Sequence, residues 1–172
     1  MTHDITIRPI SNSDFAAYRE LRLEALQAHP AAFGSDHAEQ ANDPDDVWLD
    51  RIRASIDGGK SRLFLADAAG ELAGMAGIFR NNGVKVQHGA SLVSVYVRPH
   101  WRGRGLATRL IGEVVAWCAG AGVRVIRLGV GARNADAIRC YLRAGFTVYG
   151  VEPESIRVGD IYHDELLMWR RV

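Results

Sequence analysis

The residues with the clearest chemical signature lie between Val95 and Leu110, where a strand-like run leads through a glycine-bearing turn into a helical pattern. The first turn of a helix exposes unpaired N–H groups and carries about half a positive charge. Gly103 and Gly105 have no side chains that would hold a phosphate away from those groups. The same turn carries mobile positive charge on Arg102, Arg104 and Arg109. The segment therefore predicts a local anion site.

Two common glycine motifs do not fit this turn. A P-loop needs a Lys-Ser/Thr pair after its glycines, and none follows here. The run Gly103-x-Gly105-x-x-Thr108 lacks the third glycine of the dinucleotide fingerprint. Nucleoside triphosphates and NAD are therefore disfavoured as ligands. Glycine spacing alone also fits a simple strand-to-helix connection with solvated arginines.

A second segment, Asn134 to Phe146, favours the anion site over a simple strand-to-helix connection. With it, the chain resembles the GNAT superfamily of acetyl-CoA-dependent N-acetyltransferases. Arg102-x-x-Gly105-x-Ala107 is similar to that family's pyrophosphate-loop motif, and Tyr141, seven residues after Asn134, matches its other signature. The resemblance follows the order of elements over nearly the whole chain.

The resemblance implies how the coenzyme is held. Backbone N–H groups of the turn and first helical residues would grip the CoA pyrophosphate; these residues are Gly103, Arg104, Gly105, Leu106, Ala107 and Thr108. The backbone of Val95, Tyr96 and Val97 would pair with the pantetheine arm as an added strand does, and one N–H there would polarise the thioester carbonyl. Asn134 would bind the CoA arm or an ordered water beside it.

Tyr141 resembles the family's general acid, which protonates the departing CoA sulfur. A phenol with a pKa of about 10 is a weaker acid than a thiol with a pKa of about 8.5, so transfer is uphill by roughly 2 kcal/mol. The proton must therefore move as the C–S bond breaks, or a desolvated site must shift the balance. The structural alternative is a helix tyrosine packed in the core with its hydroxyl at the edge.

The glutamate that many family members carry on one of the two splayed strands is missing. Its places hold Gly129 and Ser91. An alkylammonium acceptor is neutral in only about one molecule in 2,500 at pH 7, so its proton needs an acceptor or the amine must be a weaker base. Candidate bases that could act through a water are Glu39, Tyr96 and His163.

The acceptor side is the least specified part of the sequence. Its walls are expected from the loop between Phe33 and Glu39 and the connection between Glu152 and Tyr162. The pair Asp164-Glu165 could bind a cationic acceptor, or it could form a solvated turn or salt bridge. Protein N-termini, polyamines, amino acids and drug-like amines all remain open, as does the use of other acyl-CoAs.

The cysteines and histidines predict neither a disulfide framework nor a metal site. Cys118 and Cys140 match no ligand spacing and are expected to be reduced. Cys140 beside Tyr141 raises the alternative of an acetyl-cysteine intermediate, but a buried helix cysteine and direct transfer are favoured. The histidines, His88 among them, are scattered, so no metal is expected.

The pattern of the surrounding elements alternates between strand and helix periods. Strands are predicted around Ile5–Pro9, Leu63–Ala66, Leu72–Phe79, Leu92–Val97, Val123–Val130, Phe146–Val151 and Ile161–Trp169. Helices are predicted from Phe15 to Leu26, from an Asp43 cap with Pro44 at the first position through Ile52, from Leu106 to Cys118, and from Asn134 to Ala144. Asn82-Gly83 predicts a tight turn.

These elements predict a mixed α/β (α+β) fold. The resemblance implies a GNAT-like, mostly antiparallel sheet of about seven strands, splayed between the strands at Val95 and Leu128 and flanked by about four helices. At 172 residues we expect one domain over residues 1–172.

Composition limits the partners. Lys+Arg at 21 against Asp+Glu at 20 leaves a formal charge of +1, which gives no global field for nucleic acid. No apolar run reaches the ~20 residues that cross a bilayer, and residues 1–4 lack a basic and apolar export pattern, so a cytoplasmic protein without membrane contact is expected.

The sequence predicts an N-acetyltransferase that moves an acetyl group from acetyl-CoA directly to a primary amine on a small molecule or peptide. The alternative is a CoA-binding module without catalysis, which the absent glutamates favour. Nucleic-acid binding through Arg98, Arg102, Arg104 and Arg109 is weaker, because those arginines coincide with the phosphate loop. Homodimers are common in the family, so a homodimer is a further expectation.

Overall fold

Seven strands form one mixed sheet in the order β1-β2-β3-β4-β5-β7-β6 in a computed structural model of the chain, which describes residues 5–57 and 59–172. The strands are β1 Ile5–Pro9, β2 Ser61–Ala68, β3 Glu71–Arg80, β4 Gly89–Val97, β5 Val125–Gly131, β6 Thr147–Val158 and β7 Ile161–Arg171. The helices are α1 Phe15–Ala28, α2 His37–Ala41, α3 Asp45–Ile56, α4 Leu106–Gly120 and α5 Ala135–Arg143. Every pairing is antiparallel except that of β4 with β5. The predicted fold class is confirmed, while the expectation on residues 1–4 lies outside the described residues.

The central strands of the sheet are buried on both faces. On β2, Leu63 and Leu65 pack with α1 and α3, while Phe64 and Ala66 pack on the opposite face with α4. Successive strand residues point to opposite faces, so a strand with a helix layer on each side must be apolar throughout. This explains why the central strand β2 does not alternate between apolar and polar residues from Leu63 to Ala66.

The strands β4 and β5 separate part-way along their length. They pair only from Gly89 to Ser91 on β4, against Val125 to Arg127 on β5. Beyond this point β4 carries a register shift against β3, and Ser94 adopts a left-handed backbone with φ of 56°. An extra residue in one strand bends it and increases its twist. The bulge thus leaves an unpaired edge of β4 facing a gap, at the position where the sequence predicts a splay.

The structure differs from the sequence predictions at one turn, one helix cap and one connection. The Asn82-Gly83 tight turn is wrong: residues 81–88 form a longer connection between β3 and β4. Pro44, not Asp43, is the N-cap of α3, because the Asp43 carboxylate accepts a hydrogen bond from Arg51 at 2.5 Å. The predicted connection from Glu152 to Tyr162 is mostly strand, since β6 runs on to Val158.

A partly buried ionic network fixes β1 against the start of α1. The Arg8 guanidinium donates to both oxygens of Asp14, at 2.7 and 2.8 Å, and Nη2 also reaches Asp67 on β2 at 2.9 Å. The backbone N–H and hydroxyl of Ser11 both donate to the same Asp14 carboxylate. The hydrogen bonds from Arg8 hold the pKa of Asp14 down at about 2. Folding therefore favours the ionised form of the Asp14 carboxyl group.

Asp14→Asn is expected to lower the free energy of unfolding by about 2 kcal/mol at pH 7, because a lowered carboxyl pKa is a stability contribution of the ionised form. That contribution is complete above the unfolded pKa near 4 and is lost as the pH falls towards 2. Urea unfolding between pH 2 and 7 measures it. The wild-type curve should decline more steeply than that of Asp14→Asn, while the exposed Asp160→Asn variant should follow the wild type. Parallel curves for Asp14→Asn and wild type would contradict this assignment.

Candidate active site

The start of α4 presents a row of free backbone donors. Gly103 and Gly105 have φ of 76° and 72°, a left-handed conformation in which side chains are rare, and the space beside each is open. The first helical bond runs from the Arg109 N–H to the Gly105 carbonyl at 3.0 Å. Among the described residues, the N–H groups of residues 103–108 have no acceptor. This turn is thus built to hold an anion.

The arginines around this turn are held in different ways. Arg102 donates from Nε to the Val97 carbonyl at 3.0 Å, and its Nη2 lies 3.0 Å from His29 Nε2. Burial and the charge of Arg102 lower the pKa of His29, which favours the neutral imidazole as the acceptor in this pair. Arg104 stacks 4.7 Å over the ring of Trp101. Arg109 donates to the Ile5 carbonyl at 2.6 Å.

Arg98, the fourth arginine of the alternative nucleic-acid interpretation, is turned inward. Its guanidinium contacts three carboxylates, those of Glu20, Glu24 and Glu71, at 2.6 to 3.3 Å. The charge of Arg98 is therefore compensated within the fold. An exposed basic surface would require free charge at this position.

A cleft of about 820 Å³ runs from this turn along the open edge of β4 to α5. Its lining includes every predicted coenzyme-contact residue except Arg104: Val95, Tyr96, Val97, Arg102, Gly103, Gly105, Leu106, Ala107, Thr108 and Asn134. Asn134 also caps α5, where its Oδ1 accepts from the Ala137 N–H at 3.2 Å. The Val97 carbonyl accepts a hydrogen bond from Arg102.

A second cavity of about 810 Å³ lies on the α1 and α3 side of the sheet. It shares four lining residues with the first cavity, Ala32, Phe33, Val95 and Tyr141. The two cavities therefore meet at the gap between β4 and β5. We call the first the coenzyme cleft and the second the acceptor cavity.

Tyr141 lies at this junction on α5. Its side chain packs edge-on against Phe146 at 5.9 Å, and only 9% of the residue is exposed. The hydroxyl makes no hydrogen bond to any described residue. Burial raises the pKa of the Tyr141 phenol above its usual value. Tyr141 is thus a protonated phenol whose hydroxyl has no partner among the described residues, and it lines both cavities.

The place of the missing strand glutamate is filled from a different strand. A Cβ at Gly129 on β5 would lie 2.8 Å from Oε2 and 3.1 Å from Oε1 of Glu165 on β7. The Ser155 hydroxyl donates to Glu165 Oε2 at 2.8 Å. Gly129 and Glu165 both line the acceptor cavity. A carboxylate therefore covers the very position where the sequence has no side chain.

The three predicted bases lie elsewhere. The Tyr96 hydroxyl donates to Glu24 at 2.8 Å, and burial together with this bond raises the pKa of Tyr96 to about 12. Glu39 is on α2 and His163 on β7, and neither lines the acceptor cavity. Ser91 is the last β4 residue that pairs with β5 and also lies outside the cavity lining.

The predicted acceptor walls are only partly where the sequence places them. Phe33, Gly34 and Ser35 line the acceptor cavity, as expected for the loop from Phe33 to Glu39. The hairpin of β6 and β7 lines a smaller cavity, which shares Phe33, Gly34 and Ser35 with the acceptor cavity. It contributes to the acceptor side only through Glu165 and the Ser155 bond that holds it.

Cys118 and Cys140 are both free thiols. Cys140 lines the coenzyme cleft with its Sγ 4.0 Å from Thr108 Oγ1, and burial raises the pKa of its thiol. Within residues 5–57 and 59–172, no cluster of three metal-ligating side chains is found. In the same part of the chain, no helix is long and apolar enough to cross a membrane.

Comparison with known proteins decides the family. The model of the acetyltransferase (GNAT) family matches residues 18–146, which contain both the turn before α4 and Tyr141. The chain belongs to the GNAT family. The resemblance carried by its two motifs is thereby confirmed at the level of the family.

The curated relatives cover different shares of the chain. The L-methionine sulfoximine/L-methionine sulfone acetyltransferase of Pseudomonas paraeruginosa is 31% identical over 108 residues, which is 63% of this chain and 61% of that protein. The aligned segments span between 25% and 62% of the curated relatives that the chain matches, so it covers less than two thirds of each.

Solved structures show that the GNAT fold extends over nearly the whole chain. A GNAT acetyltransferase of Streptococcus pneumoniae aligns with a TM-score of 0.88 at 20% identity and covers 98% of this chain and 100% of that one. A putative acetyltransferase of Salmonella typhimurium, solved with acetyl-CoA, aligns at 0.85 with 24% identity, covering 98% and 94%. At these identities the likeness concerns the fold.

Sequence reasoning does not find Arg22 as a residue of this site, and it finds Glu165 only within the pair Asp164-Glu165 that could bind a cationic acceptor, not as the side chain over Gly129. Arg22 lies four residues after Tyr18, on the apolar stripe of α1, and an arginine on that stripe is the signal that marks it. Glu165 gives a weaker signal, because its position over Gly129 depends on the register between β5 and β7. Such a register is not visible in one strand's pattern.

Proposed function

We propose that the protein is an acetyl-CoA-dependent N-acetyltransferase that transfers the acetyl group directly to a primary amine of a small molecule. The observation that carries this is the junction at Tyr141, where a cleft with an anion-binding end meets a second cavity through the gap between β4 and β5. One cavity suits a long phosphorylated coenzyme, and the other suits a separate acceptor.

The residues present fit the coenzyme. Residues 103–108 have free N–H groups, and all of these residues except Arg104 line the cleft end where the pyrophosphate would lie. The unpaired edge of β4 at Val95 offers backbone groups to an extended amide-containing arm, in the manner of strand addition. When bound, acetyl-CoA supplies the acetyl group as an activated thioester.

The chain's own groups account for the proton balance. The acceptor nitrogen forms a bond to the acetyl carbon, the C–S bond breaks, and the sulfur takes the Tyr141 proton as it leaves. An acceptor that arrives as an ammonium loses two protons: Glu165 would accept the first, directly or through a water in the acceptor cavity, before the nitrogen attacks, and the second passes to solvent after the N–C bond has formed. Tyr141 then regains a proton from solvent and Glu165 releases one, so both return to their starting states.

Direct transfer is preferred to a covalent route through Cys140. A nucleophilic cysteine acts as a thiolate, and burial raises the pKa of this thiol, which disfavours the thiolate. No described base lies within hydrogen-bonding distance of its Sγ; its recorded partner is the Thr108 hydroxyl. The acetyl group is therefore expected to move from the coenzyme sulfur to the acceptor nitrogen without an acetyl-cysteine intermediate.

The relative from Pseudomonas paraeruginosa supports a small-molecule acceptor, since its name gives two modified amino acids as its substrates. An acceptor cavity of about 810 Å³ is large enough for such a molecule.

Gly105→Ala is expected to weaken acetyl-CoA binding by roughly tenfold or more, because a methyl group at φ of 72° strains the turn and enters the space before the free N–H groups. Equilibrium dialysis with radiolabelled acetyl-CoA measures the Kd. Gly122→Ala is the matched control, because Gly122 also has φ of 72° and open space but lies at the other end of α4. It should lose comparable stability and keep its affinity.

The wild-type protein must bind acetyl-CoA for the proposal to stand, and dialysis without uptake would overturn it. Uptake with no acetylation of any amine would instead favour the alternative, a CoA-binding module without catalysis. Equal affinity losses in Gly105→Ala and Gly122→Ala would show that strain alone, and not the anion site, explains the effect.

A further inference from the structure

The acceptor cavity contains a buried cation without an acidic partner. Arg22 on α1 is only 7% exposed, yet its guanidinium forms no ion pair among the described residues. Its hydrogen-bond partners are neutral: Nε donates to Gln40 Oε1 at 3.1 Å and Nη1 to Ser94 Oγ at 3.3 Å. Phe33 covers one face of the guanidinium, with its ring centroid at 5.2 Å.

Arg22 retains donors that can face a ligand. A guanidinium has five N–H donors, and the two bonds above use only two of them. Nη2 donates to no described residue, and Arg22 lines the acceptor cavity. Burying a charge costs free energy unless it is paired, so an unpaired buried arginine calls for a negative partner that the chain does not supply.

The other charges of the cavity do not supply that partner. Arg51 and Arg62 also line it, but both are cations, and Arg51 is already paired with Asp43 at 2.5 Å. Asp50 is largely exposed and pairs with Arg53 at 2.8 Å. Glu165 reaches the cavity at β5, whereas Arg22 is held at β4 by Ser94. The two opposite charges thus lie beside β4 and β5, the two strands that separate.

We propose that the acceptor is a zwitterion of the amino acid class, whose carboxylate binds Arg22 while its amino group lies towards Glu165 and Tyr141. This rests on the proposed acetyltransferase function and narrows its acceptor. An arginine binds a carboxylate through two parallel N–H bonds and so fixes its orientation as well as its charge. The amine is then directed to the junction where the thioester is expected.

A panel of the twenty standard L-amino acids and their carboxamides tests this, with acetyl-CoA as the donor and released thiol as the readout. Each carboxamide keeps the amine and removes the negative charge. For the best acceptor, kcat/KM is expected to be at least about thirtyfold higher for the acid than for its amide, as a charge-assisted pair allows. Putrescine, which has amines and no anion, is expected to be a poor acceptor.

Arg22→Met should reduce the acid-to-amide ratio of kcat/KM to near one. Because the ratio is taken within one variant, a general loss of activity does not affect it. Thermal melting provides a second readout: Arg22→Met should keep or raise Tm, since an unpaired buried charge is replaced by an apolar chain of similar length. In the wild type the best amino acid should raise Tm in the presence of CoA, and in Arg22→Met it should not.

Arg19→Met is the matched control on the same helix. Arg19 contacts Asp45 and the ring of Trp48 but does not line the acceptor cavity, so its acid-to-amide ratio should equal that of the wild type. Equal use of acids and amides by the wild type, or a ratio unchanged in Arg22→Met, would overturn the inference and leave the proposed function intact. Bound acetyl-CoA with no acetylation of any amine would overturn the proposed function itself.

Discussion

Tyr141→Phe is expected to lower kcat by about 100-fold or more and to leave the Kd for acetyl-CoA within about twofold. The lost group is the O–H that would protonate the departing sulfur, and general acids contribute about 10² to 10⁴ in rate. The hydroxyl bonds to no described residue, and the ring packs against Phe146, so phenylalanine leaves no unpaired partner behind. Steady-state kinetics with equilibrium dialysis separates the two constants.

The pH dependence of kcat is a second test of the acid role of Tyr141. Burial raises the pKa of its phenol, so the acid form persists to higher pH than in a free tyrosine. The wild-type profile should therefore show no loss of kcat from this group up to about pH 10. A basic limb well below that value, or an unchanged kcat in Tyr141→Phe, would contradict the acid role.

Tyr149→Phe is the control for this substitution. Tyr149 is 52% exposed on β6 and lines neither cavity, so removal of its hydroxyl should change neither kcat nor Kd. If both variants lose kcat equally, the effect comes from a general change in the protein and not from proton donation at the junction.

The coenzyme side of the site is predictable from sequence because it is local. Gly103, Gly105 and the start of α4 are neighbours along the chain, and the free N–H groups follow from helix geometry alone. The strand and helix order is likewise visible in the apolar periods of β2 or α4. These features need no knowledge of which elements meet in space.

The acceptor side depends on contacts between distant segments. Glu165 lies over Gly129 only because β7 pairs with β5 in a particular register, with Gly131 opposite Glu165. A shift by one residue would turn the carboxylate to the other face of the sheet. Arg22 likewise gains its neutral partners from α2 and from the bulge at Ser94. No pattern within α1 or β7 specifies these meetings.

The predicted cap at Asp43 and the predicted tight turn at Asn82-Gly83 are wrong for a related reason. Asp43-Pro44 is a good cap signal, but the Asp43 carboxylate has a stronger partner in Arg51. Asn82-Gly83 favours a two-residue turn, yet β4 begins only at Gly89, where the Asn81 N–H donates to the Gly89 carbonyl at 2.9 Å. Tertiary pairing overrides local preference at both positions.

Glu165→Gln is expected to lower kcat at neutral pH by about 100-fold or more, because the amide keeps the shape of the side chain and its bond to Ser155 but no longer accepts a proton. The deficit should shrink as the pH approaches the pKa of the acceptor amine, about 10 for an alkylammonium, since a neutral amine needs no base. A residue that only binds the ammonium would change KM more than kcat. Kinetics at saturating acceptor from pH 6 to 10 measures both.

Glu113→Gln is the matched control, since Glu113 is exposed on α4 and lines neither cavity. Its kcat should equal that of the wild type throughout this pH range. An undiminished kcat in Glu165→Gln, or a deficit that does not change with pH, would remove Glu165 from the proton path.

A relocation variant tests whether the position of the carboxylate or its strand of origin matters. The Cβ of residue 129 would lie within 3.1 Å of both Glu165 oxygens, so a glutamate at 129 can occupy this space only if residue 165 is small. Glu165→Ala combined with Gly129→Glu should regain at least about tenfold of the kcat lost in Glu165→Ala alone. Gly129→Ala alone should displace the Glu165 carboxylate and lower kcat without removing any charge. Recovery in the double variant would show that β7 supplies the base at the place where β5 has only a glycine. No recovery would mean that Glu165 acts through its bond to Ser155 and not as a proton acceptor.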